Sequence, residues 1–188
     1  MARLFYSTLC SLDGYIEDQN GRFDWAAPDE EVHQFVNDQE RTVGTYLLGR
    51  RMYEIMQVWE TDPTLAADSE ITRDYAELWR AAKIIVFSRT LKTVTTSRTQ
   101  LIGNFDPSAI RALKETLESD ISIGGPELAA HAFRTGLVDE CHFYIAPIVV
   151  GGGKRAFPAN LVVELNLADE RRFKSGFVFL RYQIKQER

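Results

Sequence analysis

The amino-acid sequence predicts an α/β fold with a mostly parallel central sheet and antiparallel strands at its C-terminal edge. Three observations carry this. Short unbroken apolar runs such as Ile84–Phe87 and Ile121–Ile123 are bounded by polar residues, the pattern of strands buried on both faces. In the first part of the chain these runs alternate with amphipathic stretches that carry helix-start signals. From Val138 onward apolar runs follow one another with no helical stretch between them.

Taken in order, Arg3 to Cys10 mixes β-branched and aromatic residues and reads as a first strand. Ser11-Leu12-Asp13-Gly14 supplies turn chemistry, and a polar loop runs through Asp18-Gln19-Asn20-Gly21. A helix is expected from Pro28, a favoured first-turn residue, with Asp29, Glu30 and Glu31 behind it and Val32, Phe35 and Val36 as its apolar stripe. Thr45–Leu48 is a buried strand ending at Gly49. Arg50–Met56 and Ser69–Ala82 are helices, the second capped by Ser69. A helix follows Asp106-Pro107 to about Glu118. After strand Ile121–Ile123, Gly124-Gly125-Pro126 opens a helix ending near Gly136. His142–Ile145, Leu161–Val163 and Phe177–Leu180 complete the sheet.

At 188 residues, with no repeat or Pro/Gly/Ser linker, residues 1–188 are expected to form one domain. The net charge of −5 argues against a nucleic-acid partner held by a general basic field. Cys10 and Cys141 lie far apart with no ligand spacing, so no metal site is expected. The first residues lack a signal-peptide pattern and no apolar stretch reaches membrane-spanning length, so a cytoplasmic protein without a membrane partner is expected. The Phe- and Val-rich C-terminal strands suggest a shared surface in a homodimer.

The chemistry concentrates at three strand ends. Gly49-Arg50-Arg51, Ser88-Arg89-Thr90 and Gly124-Gly125 each follow a buried strand directly. Ligands of open α/β sheets sit at the carboxyl ends of the strands. Glycine lets a phosphate approach the backbone, and planar guanidinium groups match its oxygens. Each segment alone reads equally well as a turn. Three at successive strand ends point to one phosphate-bearing ligand.

These segments resemble the cofactor-binding signatures of dihydrofolate reductases. Ser11-Leu12-Asp13-Gly14, Gly124-Gly125-Pro126-Glu127-Leu128, Gly136-Leu137-Val138-Asp139-Glu140 and Ala146-Pro147 ahead of Gly151-Gly152-Gly153 look more like a relative. That relative is the reductase domain of the bifunctional riboflavin-biosynthesis deaminase-reductase. The resemblance implies a dihydrofolate reductase-like three-layer fold and an NADPH-dependent oxidoreductase acting on a small pyrimidine- or pteridine-type substrate. Reduction of 5-amino-6-(5-phosphoribosylamino)uracil is the nearest named activity, with dihydrofolate reduction and non-catalytic NADPH sensing as alternatives. It also implies that Arg50 and Arg51 approach the cofactor phosphates and that Ser88 and Arg89 hold the 2′-phosphate, with Gly49 and Thr90 in the same cofactor-binding set. Gly124 and Gly125 would lie under the pyrophosphate, joined by a peptide that is often cis in this superfamily. The deaminase zinc signature is absent, and so is the glutamate those reductases carry before the glycine pair. Glu40-Arg41 is the nearest match to their substrate-phosphate arginine.

Reduction of a C=N bond needs a proton, and a carboxyl group supplies one only if burial raises its pKa. Helical spacing turns Asp29 toward the Val32/Phe35/Val36 stripe, whereas the family register counted from Trp25 selects Glu30. Both equally suit a first helical turn in which acids complement the dipole. Asp13 reads as an Asx turn or as a contact to ligand near the nicotinamide. Trp25 flanks the nicotinamide or is a core aromatic. His33, His131 and His142 sit at no ligand spacing. Gly151-Gly152-Gly153-Lys154-Arg155 lacks the Walker spacing, so it reads as a tight crossing with Lys154 free to meet an anion.

Overall fold

The computed structural model describes residues 1–185. An eight-stranded sheet forms its centre. The strands are β1 (Leu4–Ser11), β3 (Val43–Gly49), β4 (Lys83–Phe87), β5 (Thr99–Ile102), β6 (Asp120–Gly124), β7 (Glu140–Ala146), β9 (Leu165–Arg172) and β10 (Val178–Ile184). Their order is β5-β4-β3-β6-β1-β7-β10-β9. The six from β5 to β7 are mutually parallel, and β10 runs antiparallel to both β7 and β9. A separate two-stranded ribbon pairs β2 (Tyr15–Glu17) with β8 (Lys154–Arg155).

Helices cover both faces. On one, α6 (Pro107–Thr116) and α7 (Pro126–Arg134) press Ile110, Leu128, Ala129 and Phe133 onto Leu4, Tyr6, Leu47 and Ile123. On the other lie α1 (Glu30–Glu40), α2 (Arg50–Met56), α3 (Val58–Thr61), α4 (Pro63–Ala67) and α5 (Glu70–Ala81). There Val32 and Phe35 meet Tyr144 and Phe179, while Tyr53 and Trp79 pack on Tyr46, Leu48 and Val86. Alternate residues of one strand thus feed different cores: Tyr46 and Leu48 face one layer, Leu47 the other. Continuous apolar strands require this double cover, and the three-layer α/β expectation holds.

Two boundaries differ from the sequence reading. The first helix begins at Glu30, because the Asp29 side chain accepts the Val32 N–H at 2.9 Å and so occupies the capping position. Leu161–Val163 is loop, and the strand is Leu165–Arg172. That strand sits at the sheet edge with nearly every residue exposed, so no apolar run marks it.

One buried polar cluster lies beneath α1. Glu40 is 5% exposed and accepts the Tyr46 hydroxyl at 2.9 Å. Burial pushes its carboxyl pKa up to about 7, against a smaller opposing effect of the Tyr46 bond. The Tyr144 hydroxyl is buried without a hydrogen-bond partner among the described residues.

Candidate functional site

The sheet brings the three phosphate-suited segments together. Strands β4, β3 and β6 are neighbours, Gly49 stands opposite Phe87 and Leu48 opposite Gly124. The turns after Phe87, Gly49 and Gly124 therefore leave one end of the sheet side by side. A Cβ on Gly49 would meet no atom within 4 Å, so its surface is open. Gly124 is constrained differently: a Cβ there would lie 2.9 Å from Leu48 Cδ2 and 3.2 Å from Met52 Cγ. The side chains of Leu48 and Met52 thus crowd the place a Cβ would take. Gly125 takes φ = +87°, a conformation glycine adopts at little cost, and leads into Pro126 at the start of α7. The peptide between the two glycines is trans, as are all those described, so the cis geometry that the resemblance implies is not adopted. The positive φ of Gly125 turns the chain into α7 without it.

The basic residues are engaged to different degrees. Arg50 Nε meets Glu54 Oε1 at 2.7 Å, one helical turn on, and its Nη1 donates to Thr90 Oγ1 at 3.2 Å. That second bond ties two of the neighbouring strand ends. Ser88 Oγ accepts the N–H groups of Thr90 (3.2 Å) and Leu91 (3.0 Å), shaping its turn. Arg89 is exposed. Arg51 clasps Glu17 at two points, Nη2 to Oε2 at 2.6 Å and Nη1 to Oε1 at 3.2 Å. Lys154 is not free as expected from sequence: its Nζ sits 2.7 Å from Glu127 Oε1. Arg51, Glu17, Glu127 and Lys154 line an open cleft of about 520 Å³ beside the β2–β8 ribbon. Gly153 also lines it. With φ = +127° it passes so near Glu17 that a Cβ would lie 2.0 Å from the Glu17 carbonyl oxygen.

Asp13 sits at the exit of β1, between sheet and loop. Its carboxylate accepts Ser11 Oγ at 2.7 Å, the Val150 N–H at 3.2 Å and the Gly151 N–H at 2.8 Å. The Ser11 bond foremost, joined by these amides, holds its pKa below the usual carboxylate range. It is therefore an ionised clamp on the 150–151 loop, a role wider than the local Asx turn.

The burial expected of Asp29 is corrected by the structure. Asp29 and Glu30 are both exposed, and Asp29 points to its own helix end and not toward the Val32/Phe35 stripe. The Val32 N–H, followed by Ser175, lowers its pKa, the reverse of what a proton donor needs. A capping oxygen has to reach the free N–H groups of the first turn, which aims it along the axis and away from the core. Glu40-Arg41 also fails as a ligand-facing pair. Arg41 binds Asp74 of α5 and precedes the amino end of β3, across the sheet from the cleft. Trp25 is half-buried beside Val32 and Phe35 and donates Nε1–H to the Arg22 carbonyl at 3.0 Å. His142 is a buried core group stacked on Phe5.

Sequence reasoning missed Glu17 and Glu127. Glu17 was legible only as a loop-flanking acid, because its partner Arg51 is distant in the chain. No cluster of three metal-ligating side chains occurs among the described residues, and no described helix is long and apolar enough to cross a membrane.

Comparison with known proteins supplies the lineage. The chain is 29% identical over 184 residues to the uncharacterised Bacillus subtilis (strain 168) protein YyaP, covering 96% of this chain and 94% of that one. A candidate riboflavin biosynthesis protein of Shewanella sp. PV-4 superposes with a TM-score of 0.75 at 22% identity, over 99% of this chain and 100% of that one. A pyrimidine reductase-like protein of Corynebacterium diphtheriae superposes with a TM-score of 0.68 at 17% identity, over 99% and 93%. The Thermotoga maritima diaminohydroxyphosphoribosylaminopyrimidine deaminase/5-amino-6-(5-phosphoribosylamino)uracil reductase gives 0.65 at 14% identity, over 98% of this chain and 57% of that longer one. These structural likenesses concern the fold. Residues 2–179 match the profile of the RibD C-terminal domain, and the chain belongs to that family.

Proposed function

We propose that this chain is a pyrimidine reductase-like oxidoreductase that uses NADPH to reduce a small pyrimidine- or pteridine-type heterocycle. One observation carries the reading: the turns after β4, β3 and β6 leave adjacent parallel strands at the same end, bearing Arg89, Arg50-Arg51 and Gly124-Gly125. Family membership and the names of the structural relatives support it.

The residues present suit the cofactor in charge and position. Arg50 and Arg51 would meet its phosphates, Arg89 with Ser88 and Thr90 its 2′-phosphate, and Gly124-Gly125 its pyrophosphate. The bound cofactor supplies the hydride. The protein's part is to hold the acceptor against it and exclude water. Asp13, ionised and bound to the Val150 and Gly151 amides, fixes the loop beside the exit of β1. Asp29 and Glu30 are exposed and lack the burial that a proton-donating carboxyl needs.

The same exposure favours a second reading, a nucleotide-binding protein without turnover. NADPH should quench tryptophan fluorescence and raise the melting temperature more than NADH. NADPH oxidation assayed with 5-amino-6-(5-phosphoribosylamino)uracil and with dihydrofolate then separates the two acceptors. Tight NADPH binding without oxidation supports the second reading. Absence of binding by either nucleotide overturns both.

A further inference from the structure

The cleft lined by Arg51 and Lys154 is not simply basic. Among its lining residues, three carboxylates (Glu17, Asp18 and Glu127) face two cations. Each cation is already paired, but the pairs differ. The Lys154 partner, Glu127, has a side chain 85% exposed, so water competes for that contact. Glu17 has a side chain only 14% exposed and clasps both Nη atoms of Arg51. Its backbone is fixed as well, since Gly153 passes directly against the Glu17 carbonyl and β2 pairs with β8. The geometry of this clasp is the one in which guanidinium binds a phosphate.

We propose that Glu17 is an internal anion that competes with phosphate groups for Arg51 and so raises the affinity threshold for any anion entering the cleft. The inference rests on the cofactor reading above and deepens it. An incoming anion meets Arg51 only in the fraction of molecules whose clasp is open, so its apparent affinity is reduced by that fraction. A small anion has nothing further to offer. A dinucleotide brings contacts at the neighbouring strand ends, at Arg89 and Gly124-Gly125, and these displace the carboxylate. The competition weakens every anion at Arg51 by the same factor, so only a ligand with such additional contacts keeps useful affinity.

The test compares wild type with Glu17→Gln and Glu17→Asp, titrating inorganic pyrophosphate and NADPH by calorimetry after melting curves confirm folding. Glu17→Gln should bind pyrophosphate about fivefold more tightly, the factor for a partly exposed ion pair at the upper end of the usual range. NADPH should improve by the same factor, and Glu17→Asp, with a shorter reach, should fall between. Unchanged or weaker pyrophosphate binding in both variants overturns the proposal and makes Glu17 a positioning residue for Arg51. If pyrophosphate binding improves while no variant binds NADPH, the gating role stands and the cofactor reading falls. If NADPH binds wild type and variants alike and pyrophosphate does not improve, the cofactor reading stands and the gating role falls.

Discussion

Replacing Glu40 by Gln isolates the energetic effect of the carboxyl buried beneath α1. Glutamine keeps an oxygen to accept the Tyr46 hydroxyl and removes only the ionisation. Glu40 is surrounded by Tyr46 of β3, Tyr75 of α5 and Tyr144 of β7, and no described cation pairs with it. Its folded pKa of about 7 stands above the unfolded value of about 4.3. Between these values the folded state binds more protons than the unfolded chain, so stability falls as pH rises. The contribution is fully present below about pH 4 and is lost as pH climbs through about 7. A displacement of this size corresponds to about 4 kcal/mol, most of it lost between about pH 5 and pH 8. Glu40→Gln should therefore gain about 2–3 kcal/mol on wild type when both are moved from about pH 5 to pH 8. Urea unfolding followed by circular dichroism at the two pH values measures it, and groups common to both proteins cancel in the difference. A gap between variant and wild type that is the same at both pH values refutes the reasoning.

Three further outcomes follow from particular contacts. Gly153→Ala should destabilise by about 2 kcal/mol or more, since its Cβ collides with backbone that cannot rotate away; a melting temperature unchanged within a degree would contradict this. Tyr144→Phe removes a buried hydroxyl that has no described partner, so stability should be unchanged or rise by about 1 kcal/mol in chemical denaturation. A clear loss would reveal a hydrogen-bonded hydroxyl. Arg89→Ala should weaken NADPH about tenfold or more while leaving NADH nearly unchanged, as measured by fluorescence titration. Equal losses with both nucleotides would remove the 2′-phosphate role.

The sequence by itself determined what local chemistry and burial patterns encode. Ile84–Phe87 and Ile121–Ile123 announce buried parallel strands because a strand covered on both faces has no polar side to show. Ser69 announces its helix because capping is a contact within one turn. Gly49-Arg50-Arg51, Ser88-Arg89-Thr90 and Gly124-Gly125 are legible as a set at one end of the sheet because each lies next to its own strand. Where the chain meets itself across long separations, only the tertiary structure decided. Edge strand Leu165–Arg172 is held by backbone pairing to β10 and carries no apolar signature. Asp29 reads equally as acid or cap until the first helical turn claims its oxygen. Gly124 looks like a phosphate glycine, yet the side chains of Leu48 and Met52 already crowd the place of a Cβ. Arg51 looks free to take a phosphate, and the fold hands it Glu17 from 34 residues away. A single sequence records the donors and acceptors along the chain, whereas their pairing depends on distances that only the assembled sheet sets.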